Sequence, residues 1–311
     1  MFKKLVFGTL MFGLVAASQA EELFPDAKLK PMKSGDAVSP GDTVGGYPIY
    51  TAGAKWTFIR GGVTTSSRGT PLGNVVLTYD ENATPIAVQY IDVAIATNDG
   101  GYWNGAPCGG DHLVMINKAR GKEDHCLTID ALPIQMATSN LTVLNIKITN
   151  TASASRMYNV TLQFRPDAFG WRGSNAGDWA KEAVDAQPMR KEFITKLTAW
   201  SEKLLDANIR AIDYSKPQDI YENIPSPMSL LPTYEKYAQK KYSLGFLTMI
   251  EDTRHRPGFK ALAYSHYGDY KTRSGNYWSG ESQDDANKKA IAKCEENRPT
   301  SAPMCTLFKD E

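Results

Sequence analysis

The sequence lacks the short motifs that most directly indicate an enzyme class. It contains no Gly-x-x-x-x-Gly-Lys-Ser/Thr or Gly-x-Gly-x-x-Gly loop, no Gly-x-Ser-x-Gly elbow and no His-Glu-x-x-His pair. Nucleotide-phosphate cradles, serine-hydrolase elbows and helical zinc sites are therefore not indicated. Ser265, His266 and Asp269 supply the residue types of a catalytic triad, but they crowd into one short turn, which seldom orients all three groups for catalysis.

The chain also lacks an excess of charge of either sign. It has 35 Lys and Arg against 34 Asp and Glu, a formal net charge of +1. Charge alone therefore does not recruit nucleic acid or an anionic membrane. Beyond the N-terminus, no apolar run approaches the roughly 20 residues of a transmembrane helix. We expect no nucleic-acid partner and no transmembrane span in the mature chain.

The N-terminus has the pattern of a secretory signal peptide. Lys3 and Lys4 precede the apolar run Leu5–Ala17, and small residues stand at the −3 and −1 positions before Glu21. This order predicts a signal peptide at 1–20, cleaved after Ala20. We therefore expect a periplasmic or secreted bacterial protein.

Cysteine is scarce, with four residues in two local pairs. Four cysteines allow three connectivities, and proximity selects Cys108 with Cys126 and Cys294 with Cys305. An even number of cysteines in an oxidising compartment is typical of disulfides. A cysteine-based metal site is the alternative, but neither pair has the Cys-x-x-Cys spacing that favours one.

Between residues 46 and 168 the sequence is rich in short runs of alternating apolar and polar residues, after an extended arm at 21–45. Such runs, separated by Gly, Asn and Asp, predict an antiparallel β-sandwich-like domain. The predicted strands are Trp56–Arg60, Gly73–Tyr79, Ile86–Ala96, His112–Asn117, Cys126–Ile129, Leu141–Thr149 and Met157–Phe164.

Residues 169–257 predict a helical connector. The longest amphipathic stretch is Pro188–Ile212, and its apolar residues recur at helical spacing: Met189, Phe193, Leu197, Trp200, Leu204 and Ile209. We expect this face to pack against the β domain, with a partner-binding helix as the alternative. The apolar run Leu244–Ile250 is interpreted as a strand.

Residues 258–311 predict a small disulfide-stapled α/β unit, so the overall class is α+β. Alternation at Phe259, Ala261 and Ala263 indicates a strand, and Ser282 with Asp285 is typical of a helix N-terminus. About fifty residues here resemble small secreted bacterial two-cysteine domains of unknown function. The matching residues are Ala261, Ala263, Ser282, Ala286, Ala290, Cys294 and Cys305. The resemblance implies a fold and no catalytic residue.

The candidate ligand-binding residues are aromatic, because aromatic faces beside hydroxyl and amide groups can stack on sugars or peptides. They are Trp103, Tyr264, Tyr267, Tyr270, Tyr277 and Trp278. The segment Tyr102–Gly105 with Trp171 and Trp179 is a further candidate for such a platform. For all of these rings the alternative is that they cover a core.

The predicted disulfide between Cys108 and Cys126 would bring Asp111, His112 and His125 near one another. Imidazoles and carboxylates are metal ligands, so these three residues are weak metal candidates, although ordinary solvated turn residues look the same. No cofactor is indicated. The sequence favours a non-enzymatic binding or envelope-associated protein whose partner is an envelope glycan or protein. The alternative is a hydrolase acting on an envelope polymer, with metal assistance near these residues.

Overall fold

The structure, a computed structural model, forms two compact units. It describes residues 32–45, 47–51, 55–65, 71–81, 84–94, 108–119, 124–135, 140–153, 156–171, 173–213, 224–231, 242–268, 271–279 and 281–309. The N-terminal unit comprises Met1–Asp80, Pro85–Arg165 and Asn175–Pro227, and the C-terminal unit comprises Glu81–Thr84, Pro166–Ser174 and Met228–Glu311. The predicted signal peptide and the first part of the predicted arm lie outside the described residues.

The N-terminal unit is built on an antiparallel sheet of seven strands. The strands are β3 (Trp56–Thr65), β4 (Pro71–Glu81), β5 (Thr84–Ala94), β6 (Val114–Asn117), β7 (Asp124–Gln135), β8 (Asn140–Ser153) and β9 (Arg156–Phe164), after a short pair β1 (Thr43–Val44) and β2 (Tyr47–Pro48). The strand order is β3-β4-β5-β9-β8-β7-β6. Val75, Leu77 and Tyr79 on β4 are buried at every second position, as a sheet with one covered face requires.

All seven predicted strands coincide with β3–β9, which confirms the β-rich N-terminal part and the α+β class. The structure adds that these strands form one continuous sheet. The predicted disulfide between Cys108 and Cys126 is also confirmed. It joins the segment before β6 to β7.

The long amphipathic helix covers this sheet. Helix α1 (Lys181–Ala186) is followed by α2 (Pro188–Asp213), which begins at a proline, a residue whose missing N–H costs nothing at the first helical position. Along α2 one side is buried, at Phe193, Leu197, Trp200 and Leu204. The ring of Trp200 lies edge-on to Phe164 of β9, with centroids 5.6 Å apart. The predicted packing of this helix on the β domain is confirmed, although Met189 is exposed.

The C-terminal unit is a small sheet between two helices. Its elements are α3 (Leu244–His255), β10 (Phe259–His266), β11 (Thr272–Ser279), α4 (Gln283–Asn297) and β12 (Thr306–Leu307), and the strand order is β11-β10-β12. The predicted connector 169–257 therefore contributes α2 to one unit and α3 to the other. The prediction of a strand at Leu244–Ile250 is wrong, because these residues belong to α3. The N-terminus of this helix is capped by Ser243, whose side chain accepts a hydrogen bond from the Phe246 N–H.

Small residues let α4 approach the sheet closely. Ala261 and Ala263 of β10 share a buried cluster with Ala286, Ala290 and Cys294. The predicted N-cap is confirmed, because the Ser282 side chain accepts from the Asp285 N–H. The predicted disulfide between Cys294 and Cys305 is confirmed as well.

A carboxylate supports the same junction. The Cys305 N–H donates to Glu295 Oε1 at 2.5 Å, and Arg298 Nε donates to Glu295 Oε2 at 2.5 Å. The backbone N–H of Cys305 first, and then the Arg298 guanidinium, hold the pKa of Glu295 below its usual range. The ionised carboxylate thus helps to tie the end of α4 to the final strand.

Candidate functional site

The predicted aromatic surface is divided between the two faces of the β10–β11 hairpin. Lys260 lies opposite Trp278, Ala261 opposite Tyr277, and Tyr264 opposite Ser274. Because side chains alternate along a strand, Tyr264 and Trp278 share one face and Tyr277 lies on the other. Tyr267 lies at the turn, where its N–H donates to the Lys271 carbonyl at 3.1 Å. Trp103 and Tyr270 lie outside the described residues.

Tyr264 belongs to an aromatic cluster under α3. Its ring centroid is 5.1 Å from that of Phe246, 5.6 Å from Tyr242 and 6.1 Å from Phe308. Edge-on and tilted contacts of this kind stabilise a core. These contacts favour a packing role for Tyr264.

Tyr277 faces α4, and its ring is covered by a cation. The Lys289 ammonium lies 4.8 Å from the ring centroid. Hydrogen bonds with Asp285 first, and then with Tyr277, raise the pKa of Lys289 above its usual range. Tyr277 also packs against the alanine-rich cluster of α4, so one of its faces is already in use.

Among the candidate aromatic residues that the structure describes, Trp278 is the exposed one. Its side chain is 45% exposed. The Arg256 guanidinium carbon lies 4.5 Å from the centroid of the Trp278 ring, so a cation–π contact supports one side of the indole. Arg256 stands at the C-cap of α3 and Trp278 on β11, so a helix end and a strand together position the pair.

A buried carboxylate fixes the guanidinium. Arg256 Nη2 donates to Asp252 Oδ1 at 3.3 Å, and Asn276 Nδ2 donates to Asp252 Oδ2 at 3.4 Å. Asp252 is buried, and an ion pair with a desolvated partner is screened less than one in open solvent. We call Trp278, Arg256, Asp252 and Asn276 the Trp278 platform.

Two further cations lie at the C-terminal end of α3. Lys260, opposite Trp278, donates through Nζ to the carbonyls of Arg254 at 2.7 Å and Arg256 at 3.1 Å, which places a positive charge at the C-terminus of α3. Arg254 pairs with the buried Glu251 at 2.9 Å. The platform thus combines one open aromatic face with hydrogen-bond donors that can meet hydroxyl or carboxylate oxygens.

The weak metal candidates are not brought together in one cluster. His112 places Nδ1 2.8 Å from Asp130 Oδ2 and Nε2 3.2 Å from the Gly109 carbonyl. His125 is fully buried and contacts Asn150 Oδ1 through Nδ1 at 3.1 Å, while Asp111 is exposed. Within the described part of the chain, no group of three or more His, Cys, Asp or Glu side chains could hold a metal ion.

Trp171 and Trp179 are buried, which favours the interpretation that they cover a core over that of a binding platform. Trp171 stacks on His255, with ring centroids 3.5 Å apart.

Comparisons with protein-family models, with curated proteins and with solved structures find no match to this chain. None of the helices in the described residues combines the length and apolar character that a membrane crossing requires.

Sequence reasoning found Trp278 but missed the residues that support it. Asp252 and Arg256 stand four residues apart, which is the spacing of an ion pair on a helix. Because Leu244–Ile250 is interpreted as a strand from its sequence, the helix on which this ion pair forms is not predicted.

Proposed function

We propose that this protein is a non-enzymatic binding protein of the bacterial envelope, and that the Trp278 platform contacts an envelope glycan. The observation that carries the proposal is the exposed indole held against Arg256 by the buried Asp252. Single exposed apolar residues are common on protein surfaces, and what sets Trp278 apart is that the guanidinium of Arg256, itself held by Asp252, supports its ring. Its position is fixed in advance, which reduces the entropy lost on binding.

A glycan suits the chemistry of the platform. The apolar C–H face of a pyranose ring can stack on an indole, while its hydroxyl groups need donors and acceptors at the edge. Arg256, Asn276 and Lys260 supply donors beside Trp278. A carboxylated sugar would gain further from the local cations.

The two disulfides support an extracytoplasmic location, since disulfides form and persist in oxidising compartments. Residues 1–20 would then direct export and be removed. Fractionation of cells that express the full chain tests this step: the mature protein should start at Glu21 and be found outside the cytoplasm. Cytoplasmic protein that keeps residues 1–20 would contradict it.

The binding test is co-sedimentation of the purified protein with insoluble peptidoglycan sacculi, followed by a glycan array. Trp278→Ala should weaken binding about thirtyfold, the loss typical of a central tryptophan at an interface. The matched control is Phe259→Ala: Phe259 is also 45% exposed and lies at the start of β10, on the opposite face of the hairpin. Equal effects of the two substitutions would refute the platform as the site.

The hydrolase alternative remains a prediction that the contacts of His112 do not favour. Both of its ring nitrogens already lie within hydrogen-bond distance of protein oxygens, so a metal ion or a substrate would have to displace one of these contacts. No second function is therefore proposed.

A further inference from the structure

The two edges of the seven-stranded sheet differ in how they are covered. On the outer side of β3, Phe58 N donates to the Asp36 carbonyl at 2.8 Å, Gly35 N to the Phe58 carbonyl at 2.9 Å, and Val38 N to the Trp56 carbonyl at 2.9 Å. The segment 35–38 therefore pairs with this edge and satisfies its backbone groups. An extended segment on a sheet edge is the form of recognition called strand addition.

Among the described residues, none pairs with the outer side of the other edge strand, β6. Lys118 N donates to the His125 carbonyl at 2.7 Å, which places the even-numbered residues of β6 in hydrogen-bonded pairs with β7. In an antiparallel ladder the intervening residues then direct their N–H and C=O outward. These are Met115 and Asn117, and no described residue supplies a backbone partner for them. An open edge of this kind can pair with another chain.

An apolar groove of about 390 Å³ lies beside this edge. It is lined by Leu113 and by Val114, the first residue of β6, and by residues of α1 and α2: Lys181, Val184, Asp185, Lys191, Ile194, Thr195, Thr198, Ala199 and Glu202. The threonine hydroxyls donate to carbonyls of their own helix, Thr195 to Lys191 at 2.8 Å and Thr198 to Ile194 at 2.7 Å. The methyl groups of these threonines are therefore the parts of the side chains that can contact a ligand.

The two ends of the groove carry opposite charge. At one end Asp185 faces two ammonium groups, Lys191 at 2.9 Å and Lys181 at 3.9 Å. At the other end Lys118 faces two carboxylates, Glu202 at 2.8 Å and Asp206 at 2.7 Å. One end thus has an excess positive charge and the other an excess negative charge.

The spacing of these ends matches a short strand. Lys191 and Glu202 are both on α2, where a rise of 1.5 Å per residue separates them by roughly 16 Å. At about 3.3 Å per residue, that length corresponds to about five residues of extended chain. Strand β6 with Leu113 offers an edge of the same length.

We propose that β6 and this groove bind an extended peptide of about five residues as an added strand. The peptide runs antiparallel to β6, the better hydrogen-bonded arrangement. Its first residue is basic and meets Glu202 and Asp206, its last is acidic and meets Lys181 and Lys191, and its central residue is apolar and enters the groove. This site is separate in residues and in ligand chemistry from the Trp278 platform.

The probe is the synthetic peptide acetyl-Lys-Thr-Ile-Thr-Glu-amide, whose first, third and fifth side chains share one face. Calorimetry should detect saturable binding, and hydrogen exchange of residues 113–119 should slow when the peptide is present. The charge-reversed peptide acetyl-Glu-Thr-Ile-Thr-Lys-amide should bind more weakly. Absence of binding at millimolar peptide, or equal binding of the two peptides, overturns the proposal.

Met115→Pro tests the edge itself. Proline removes an N–H that points away from β7, which an edge strand tolerates, so binding should weaken about fivefold while the fold persists. Met115→Ala keeps the N–H and should bind like the unaltered protein. Unchanged binding by Met115→Pro overturns the assignment.

If Met115→Pro disturbs folding, Lys191→Glu provides an independent test of the proposal. This substitution leaves both ends of the groove with a net negative charge, so it should abolish the preference between the two peptides, and an unchanged preference contradicts the charge argument. A concentration-dependent dimer that Met115→Pro dissociates would assign the edge to a second copy of the chain and overturn the peptide assignment.

Discussion

Replacing Gly275 with alanine should lower the free energy of unfolding of the C-terminal unit more than a conservative substitution on its surface does. Gly275 lies on β11 directly beneath α4, and a Cβ there would stand 2.5 Å from the Cys294 nitrogen and 2.8 Å from the Ala290 carbonyl oxygen. These atoms are helix backbone and cannot rotate away, so α4 must shift as a body. The helix is also held at Cys294 by the disulfide to Cys305, which limits the shift.

The expected cost is about 3 kcal/mol in the free energy of unfolding, the upper part of the range for overpacked cores. Urea unfolding of the oxidised protein, followed by far-UV circular dichroism and tryptophan fluorescence, measures it. The matched control is Gly245→Ala, near the start of α3 in the same unit, where an added Cβ meets nothing within 4 Å. There alanine should stabilise by about 0.5–1 kcal/mol. A neutral Gly275→Ala would refute the close packing of α4 on the sheet.

Three further predictions concern the same unit. Replacing Cys294 and Cys305 together with alanine should lower the free energy of unfolding by about 3 kcal/mol, judged from the loop they close, and an unchanged urea midpoint would argue against the disulfide. Because the folded-state pKa of Glu295 lies below the unfolded value, its stabilisation is present above about pH 4.3 and is lost as pH falls through the folded pKa. Glu295→Gln should therefore reduce the fall in the urea midpoint between neutral pH and pH 3, and an identical fall in both proteins would contradict this role. Arg256→Ala should weaken sacculus binding two- to fivefold, about the value of one exposed cation–π contact, and equal binding would show that Trp278 does not depend on it.

The strands and disulfides could be predicted because their signals are local. Alternation such as that of Val75, Leu77 and Tyr79 follows directly from one buried sheet face. The cysteines of each pair are near neighbours in sequence, so proximity selects the pairing that the structure has.

The rest depends on what packs against each element, which the sequence does not state. Leu244–Ile250 is a short apolar run, and periodicity alone does not separate a strand from a buried helix at that length. The capping Ser243 was the signal that favours a helix. The aromatic residues between Tyr264 and Trp278 look like one cluster in sequence, but the register of β10 on β11 assigns them to opposite faces.

The supporting contacts of the platform are long-range as well. Arg256 reaches Trp278 only because β11 returns beside the end of α3. The open edge of β6 likewise becomes evident only when the strand order places it last in the sheet.

The most direct measurement of the central claim is the solvent protection of Trp278 in the complex. Hydroxyl-radical footprinting with mass spectrometry would compare the oxidation of Trp278 and Phe259, two equally exposed side chains, with and without peptidoglycan sacculi. A glycan on the platform predicts that oxidation of Trp278 falls while that of Phe259 stays unchanged. Bound protein in which Trp278 oxidises as fast as in free protein would contradict the account.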